Sequence, residues 1–362
     1  MTAAARLRPE PRRPGSTTPR ARHAPQPTSA VAAAPAPHLA DPAAVAAATD
    51  GQVAIVQARL LEWYGAQGRD LPWRHTRDPY AILVAEVMLQ QTQVDRVIPK
   101  WQAWLAQFPT LTDLAEASRA DVIRAWQGLG YNLRAVRLHA IARAATARYG
   151  GQLPSDLDAL LSLPGIGRYT AGAIASFAFE QPVAMVDTNI RRVLSRVFWG
   201  TPPTASPEPA AREVQALADA VLPQPGPTAY AWNQALMDLG ATTCRAQQPL
   251  CLVCPLLGVC RAQAGLPHLQ PAGRPATAAG RRATAAARPR PKQPPFEQTD
   301  RYLRGRIVDA VRALEPGQVL ARRHLAARLP AHTPDRLDRL LHALAADGLI
   351  GLAPNGSIRL PS

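Results

Sequence analysis

From about residue 52 to residue 270, Pro and Gly interrupt the chain at Pro72, Pro79, Pro99, Pro109, Gly128/Gly130, Pro154, Pro164-Gly165, Pro182 and Pro202-Pro203. Interruptions this frequent limit any regular element to a few turns. Between them the apolar residues recur at helical spacing, as in Val53, Ile55, Val56, Leu60 and Trp63, then Val122, Ile123 and Trp126, then Leu157, Leu160 and Leu161. No run there sustains the alternation of a half-buried strand. The pattern predicts a mainly α fold built from short, packed helices over 51–265.

The flanks differ. Residues 1–50 are rich in Ala, Pro and Arg, aperiodic and without aromatic residues. They cannot bury enough apolar surface to offset their ordering entropy and read as a disordered tail or a misassigned start, or else as an Arg-rich targeting peptide. Residues 266–297, with Pro-Arg-Pro-Lys near their end, read as a basic Pro-rich linker. Periodicity returns over 298–362, in Ile307, Val311 and Leu314, in Leu325 and Leu329, and in Leu337, Leu340, Leu341 and Leu344. A Pro354-Asn355-Gly356 turn then separates Leu349-Ile350 from Ile358 and Leu360. Three short helices closed by a hairpin predict a small winged-helix-like C-terminal module. No apolar run is long enough to span a bilayer as a helix.

The formal net charge is +15, which suggests a polyanionic partner, yet most of the excess lies outside 51–270. Only two lysines occur, Lys100 and Lys292.

Four motifs carry chemistry. All four cysteines fall within 17 residues as Cys244-x6-Cys251-x2-Cys254-x5-Cys260. Thiolates so clustered can wrap an iron–sulfur cube or one zinc ion, and cannot form a disulfide scaffold for a chain of this size. Leu163-Pro164-Gly165-Ile166-Gly167-Arg168-Tyr169-Thr170 reads as a helix end, a tight turn and a new helix whose free N–H groups can grip a phosphate. In Val186-Asp187-Thr188-Asn189-Ile190-Arg191-Arg192, Asp187 stands where a helix N-cap is expected. In Ala85-Glu86-Val87-Met88-Leu89-Gln90-Gln91-Thr92-Gln93, helical geometry puts Glu86 beside Ile82, Leu83 and Leu89. A carboxyl on such a face loses hydration, so its pKa rises and it can act as an acid near neutrality.

Together with Arg69-Asp70-Leu71-Pro72-Trp73-Arg74 and Gly128-Leu129-Gly130-Tyr131, these segments resemble the MutY-type A/G-specific adenine DNA glycosylases of the endonuclease III superfamily, over about residues 52–265. The resemblance implies a helix-hairpin-helix glycosylase fold with a [4Fe-4S] cluster on Cys244, Cys251, Cys254 and Cys260. It implies a monofunctional base excision enzyme, monomeric and bacterial-type cytoplasmic, acting on duplex DNA with A·8-oxoguanine or A·G mispairs. By the same resemblance Glu86 protonates the extruded adenine and helps activate water, and Asp187 stabilises the oxocarbenium-like sugar. Gly165, Gly167 and Tyr169 belong to the hairpin, with Tyr169 where lyase relatives carry Lys. Arg69, Trp73 and Leu89 match adenine-pocket positions, Gln91 and Tyr131 match wedges into the duplex, and Asn189 and Arg245 match polar and basic DNA-site positions.

Two departures stand out. Asn132 follows Tyr131 where many relatives have a second aromatic, and residues 271–362 lack the pattern of the NUDIX-like domain that reads 8-oxoguanine in MutY. The weighed alternatives are an endonuclease III-like glycosylase/lyase, a T/G-mismatch glycosylase and a non-catalytic helix-hairpin-helix iron–sulfur protein. A lyase needs an amine for a Schiff base, and neither lysine lies in the hairpin.

Overall fold

A computed structural model describes residues 50–201, 210–265, 294–330 and 332–361. The N-terminal tail and nearly all of the basic linker lie outside the described residues.

Among the described residues the α-helices of the larger part are α1 (Asp50–Gln67), α2 (Pro79–Leu89), α3 (Val94–Gln107), α4 (Leu111–Glu116), α5 (Arg119–Ala125), α6 (Leu133–Tyr149), α7 (Leu157–Leu161), α8 (Arg168–Phe177), α9 (Thr188–Trp199), α10 (Ala211–Ala220) and α11 (Gly226–Asp238). The local signals explain most boundaries. Thr110, Ser118, Asp156 and Asp187 each cap a helix start with a side-chain oxygen, and Gly150 and Gly200 end α6 and α9 in the left-handed conformation. Pro99 departs from expectation, for it lies inside α3. Val97, Trp101 and Trp104 on the same helix are buried, and that packing outweighs the lost backbone hydrogen bond. Ile55 also leaves its expected stripe and is exposed on α1, which buries Val56 and Leu60 instead.

Two apolar cores form. One gathers α3, α4, α5 and α6 around Trp104, Trp126 and Leu138, and the other gathers α1, α9, α10 and α11 around Leu60, Phe198 and Trp232. Helices α2 and α8 serve both, since Ile82, Ala173 and Phe177 face the second core while Leu83, Ala171 and Ile174 face the first. α2 is buried from Tyr80 to Met88, as a helix apolar on every side must be. The site lies at one end of this shared seam.

The C-terminal residues form α12 (Asp300–Arg312), α13 (Arg322–Ala326), α14 (Pro334–Ala346) and a hairpin of β1 (Gly351–Leu352) with β2 (Ile358–Arg359). The hairpin pairs Gly351 with Arg359 and Leu352 with Ile358, and Ile358 also bridges to Leu320. Their core includes Ile123 of α5, so this module packs against the helical domain. Among the described residues no helix is long and apolar enough to cross a membrane.

Candidate active site

α2 starts at Pro79, whose fixed φ suits a first turn, behind Asp78, whose carboxylate accepts from Tyr80 N. Two turns later the helix carries Glu86 into the seam, where it is 5% exposed. Tyr169, in the first turn of α8, donates its hydroxyl proton to Glu86 Oε2 at 2.8 Å. Burial pushes the Glu86 carboxyl up from 4.5 to about 7; the Tyr169 hydrogen bond opposes this and the Asp187 charge adds to it. Tyr169 is itself driven well above the usual phenol range by burial and by the two carboxylates, so it keeps its proton.

Asp187 caps α9. Its Oδ1 accepts from Ile190 N at 2.6 Å and its Oδ2 from Asn189 Nδ2 at 3.1 Å. Its pKa is raised, chiefly by burial, and these donors and the nearby Arg192 charge offset part of that rise in favour of the anion. Arg192 links the group to the cysteine loop: Nη2 donates to Asn189 Oδ1 at 2.7 Å and to Gly240 O at 2.7 Å, and Nε donates to Cys244 O at 2.8 Å. Gly240 has to be glycine, because a Cβ there would stand 2.7 Å from Asn189 Cβ.

Glu86, Tyr169, Asp187 and Asn189 line one cleft of about 800 Å³, together with Arg69, Trp73, Leu89 and Gln91. Trp73 is 8% exposed and meets Trp101 edge to face, with ring centroids 6.0 Å apart. Arg69 reaches the cleft sharing one carboxylate with Arg74. Its Nε and Nη2 each lie 2.7 Å from Asp238 Oδ1, and Arg74 pairs with the same carboxylate at 2.8 Å.

Gln91 and Tyr131 hold φ of 56° and 44°, a strained conformation for residues with a Cβ. One buried side chain organises both. Arg134 donates to the carbonyls of Val87, Met88 and Gln90 on one side and of Leu129 and Gly130 on the other. Gln91 borders the cleft and also an adjoining groove that contains Tyr131.

The hairpin between α7 and α8 is anchored by buried Leu163 and Ile166, leaving Pro164, Gly165, Gly167 and Arg168 exposed. Gly165 requires glycine, with φ of 85°. Gly167 is extended and its Cβ would meet nothing within 4 Å, so nothing in the protein demands glycine there.

All four cysteines line one largely apolar pocket with Arg196 and Leu256. Arg196 donates to Cys244 Sγ at 3.4 Å, to Arg245 O at 2.7 Å and to Ala246 O at 2.8 Å, so a buried cation faces the thiol set and holds its loop. Among the described residues no three His, Cys, Asp or Glu converge closely enough for a single metal ion. Arg245 is exposed and its Nε donates to Thr242 O at 2.9 Å within its own loop.

Arg134, Arg192 and Asp238 stand outside the roles that the motifs imply. For Arg134 a signal exists: it heads the α6 stripe continued by Leu138, Ile141, Ala142 and Ala145, where an apolar residue is expected.

A hairpin-linked pair of helices beside a cleft holding one buried and one partly buried carboxyl group is the arrangement of a helix-hairpin-helix DNA glycosylase. The pattern of the HhH-GPD superfamily base excision DNA repair protein matches residues 84–222. A thermostable thymine-DNA glycosylase superposes with TM-score 0.56 and 30% identity, covering 60% of this chain and all of that one. Endonuclease III trapped covalently on DNA superposes with TM-score 0.50 and 25% identity, over 59% of this chain and 96% of that one. The adenine DNA glycosylase of Mycolicibacterium smegmatis is 40% identical over 309 residues, 85% of this chain and 97% of that protein. The adenine DNA glycosylase of Homo sapiens is 44% identical over 222 residues, 59% of this chain and 40% of that protein. The chain belongs to the adenine DNA glycosylases of the HhH-GPD superfamily, enzymes of base excision DNA repair.

Proposed function

We propose that this enzyme hydrolyses the N-glycosidic bond of adenine mispaired with 8-oxoguanine or guanine, without lyase activity. The observation that carries the reading is the buried Glu86 carboxyl, with a pKa of about 7 and a hydrogen bond from Tyr169, in the same cleft as Asp187. An adenine turned out of the stack enters this cleft beside Trp73 and Leu89. Glu86 donates its proton to the departing base, which leaves with the glycosidic electron pair. The sugar develops positive charge and Asp187, held as an anion by Ile190 N and Asn189, faces it. Glu86, now ionised, accepts a proton from the water that attacks C1′. The two carboxyl groups thus take opposite protonation states because burial, against the Tyr169 hydrogen bond, lifts Glu86 to about 7, while Asp187 accepts N–H donors at the start of α9.

Among the residues lining the cleft the cations are arginines, and Tyr169 stands in the hairpin. No lysine there can form a Schiff base. Borohydride is therefore expected to trap no covalent DNA complex, with strand breaks appearing only after alkali or heat; efficient trapping would refute the hydrolytic assignment.

The DNA track is proposed to pass the hairpin, where bare Gly167 lets a phosphate approach the free N–H groups of α8, and to reach Gln91 and Tyr131, which fill the space the adenine leaves. Arg245, exposed on the cysteine loop, is proposed as a further phosphate contact.

A [4Fe-4S] cluster fits the cysteine pocket, which four thiols line and where the buried Arg196 guanidinium meets Cys244 Sγ. Bound by Cys244, Cys251, Cys254 and Cys260, it would supply rigidity to the loop that Arg192 ties to Asn189. Protein purified without oxygen is expected to carry about four irons and four labile sulfides per chain; stoichiometric zinc without sulfide would overturn this.

The function itself is tested by single-turnover excision on duplexes with A·8-oxoguanine, A·G, A·C and T·G. Release of adenine from the first two supports the reading, and preferential thymine release contradicts it.

A further inference from the structure

Beside the cleft, and sharing Gln91 with it, lies a second groove of about 740 Å³, lined by Tyr131 and other residues of the helical domain and by α12 of the C-terminal module. Four exposed arginines border it: Arg96 of α3, Arg137 of α6, and Arg301 and Arg306 of α12. Among the described residues none of the four has a side-chain hydrogen bond or ion pair. The acidic residue in the groove, Asp309, is already paired with Arg312 at 2.8 Å. Exposed cations gathered around one channel raise a positive potential there, which draws in a polyanion.

The module is fixed at this position. Arg312 is buried and donates from Nε to Ile123 O at 2.9 Å and from Nη2 to Asn132 Oδ1 at 3.1 Å. Arg124 Nη2 donates to Leu314 O at 3.1 Å. Asn132, which directly follows Tyr131, is therefore the residue that ties the wedge loop to the module. Arg301 lies 4.0 Å from the centroid of the Tyr131 ring and 5.8 Å from that of the exposed Phe296. The groove is also continuous with the rest of the DNA face. Gln91 borders both cavities, and Arg137 Cβ would touch a Cβ placed on Gly165 of the hairpin at 3.7 Å.

We propose that this groove binds the DNA strand opposite the extruded adenine, with Arg96, Arg137, Arg301 and Arg306 on its phosphates. The inference rests on the adenine-cleft reading above, since that reading sets which strand is which. If the flipped nucleotide occupies the cleft and Gln91 and Tyr131 take its place, its partner strand lies across those two residues, over the arginines. Stacking and charge are both supplied there, for Arg301 presents a cation and a planar face beside an aromatic ring.

Arg301→Ala/Arg306→Ala in the full chain tests this, read on a duplex whose adenosine carries a 2′-fluoro group to block excision, opposite 8-oxoguanine. With two fewer phosphates neutralised, the slope of log K against log salt should become shallower by about 2, and binding should weaken roughly 10- to 100-fold near 0.15 M salt. Both positions are exposed, so the fold is retained, and thermal melting verifies this. Replacing phosphates around the mispair by uncharged methylphosphonates localises the interaction. Neutralising the strand opposite adenine should bring parent and variant close to equal affinity, whereas neutralising the adenine strand should preserve their difference.

Unchanged affinity and slope would overturn the proposal. So would equalisation by the adenine strand alone, or a loss limited to 8-oxoguanine duplexes with no change in slope. Adenine release by the parent is scored separately, so an enzyme that bound through this groove but removed another base would refute the cleft reading and leave the groove result intact.

Discussion

Glu86→Gln is expected to lose adenine excision roughly a thousandfold or more while retaining DNA affinity, because an amide can neither protonate the base nor activate water. Single-turnover excision on an A·8-oxoguanine duplex measures it, and a loss under tenfold would remove Glu86 from the proposed role. The parent should also show a rate that declines as pH rises through about 7, where the buried carboxyl gives up its proton. Stability should move in the same direction. A carboxyl whose pKa is higher folded than unfolded keeps an extra proton in the native state between 4.5 and about 7, so its contribution to stability declines across that window as pH rises. At pH 8 the accumulated cost is at most about 3 kcal/mol. Glu86→Gln should therefore melt above the parent at pH 8 and close to it near pH 4, the signature of a group retained for chemistry at the expense of the fold.

Asp238→Asn is expected to cost about 3–5 kcal/mol of folding stability, measured as a lower urea midpoint. The carboxylate is fully buried and meets Arg69 through N at 2.9 Å and Nε at 2.7 Å, and Arg74 through Nη1 at 2.9 Å and Nη2 at 2.8 Å. Burial alone would raise its pKa, but the hydrogen bond and charge of Arg74, followed by those of Arg69, more than reverse this and hold it below the usual carboxylate range. An amide leaves the Arg74 guanidinium, whose side chain is 7% exposed, without a counter-charge. With the folded pKa depressed, the ionic contribution is complete above the unfolded value of 3.8 and disappears as pH falls through the folded one. The gap between parent and variant should thus be wide at neutral pH and narrow in strong acid. Retention of the parent's midpoint would show that the network is solvated and dispensable.

The helices are legible in the sequence because their signals are local. Asp78-Pro79 opens α2 and Asp187 opens α9 as capping chemistry requires, and Gly165 sits in the left-handed turn that the motif implies. Glu86 can be placed on an apolar face from spacing alone, and it is buried there. The convergence of Glu86 with Asp187 is not readable from spacing, since it depends on α2 and the start of α9 packing into one core, which holds both Ile82 and Ile190. Gly167 carries a misleading local signal: beside Gly165 it looks like a second candidate for positive φ, yet its backbone is extended. Asp238 and Arg192 are silent for a further reason. Their partners lie far away in sequence, and an isolated Asp or Arg in a helical segment looks like solvent-facing charge until the packing is known. Asn132 stands out in the sequence only as a missing aromatic, and its partner Arg312 shows what the amide does instead.

Arg134 has a consequence for how the enzyme patrols DNA. Its guanidinium holds the loop ending α2 and the loop preceding α6 in one cluster of carbonyls, with Thr92 Oγ1 as an added acceptor at 3.0 Å. Burial lowers its pKa only to about 10, so it remains a cation at any physiological pH. Gln91 and Tyr131 are thus poised before a duplex arrives, their awkward backbone angles already sustained by the fold. If Gln91 and Tyr131 enter the duplex as proposed, their two loops need little rearrangement first, and unstacking the DNA becomes the main energetic threshold. A weakly stacked or mispaired step crosses that threshold more readily than an intact one, so discrimination can begin with the mechanics of the duplex before any atom of the adenine reaches the cleft.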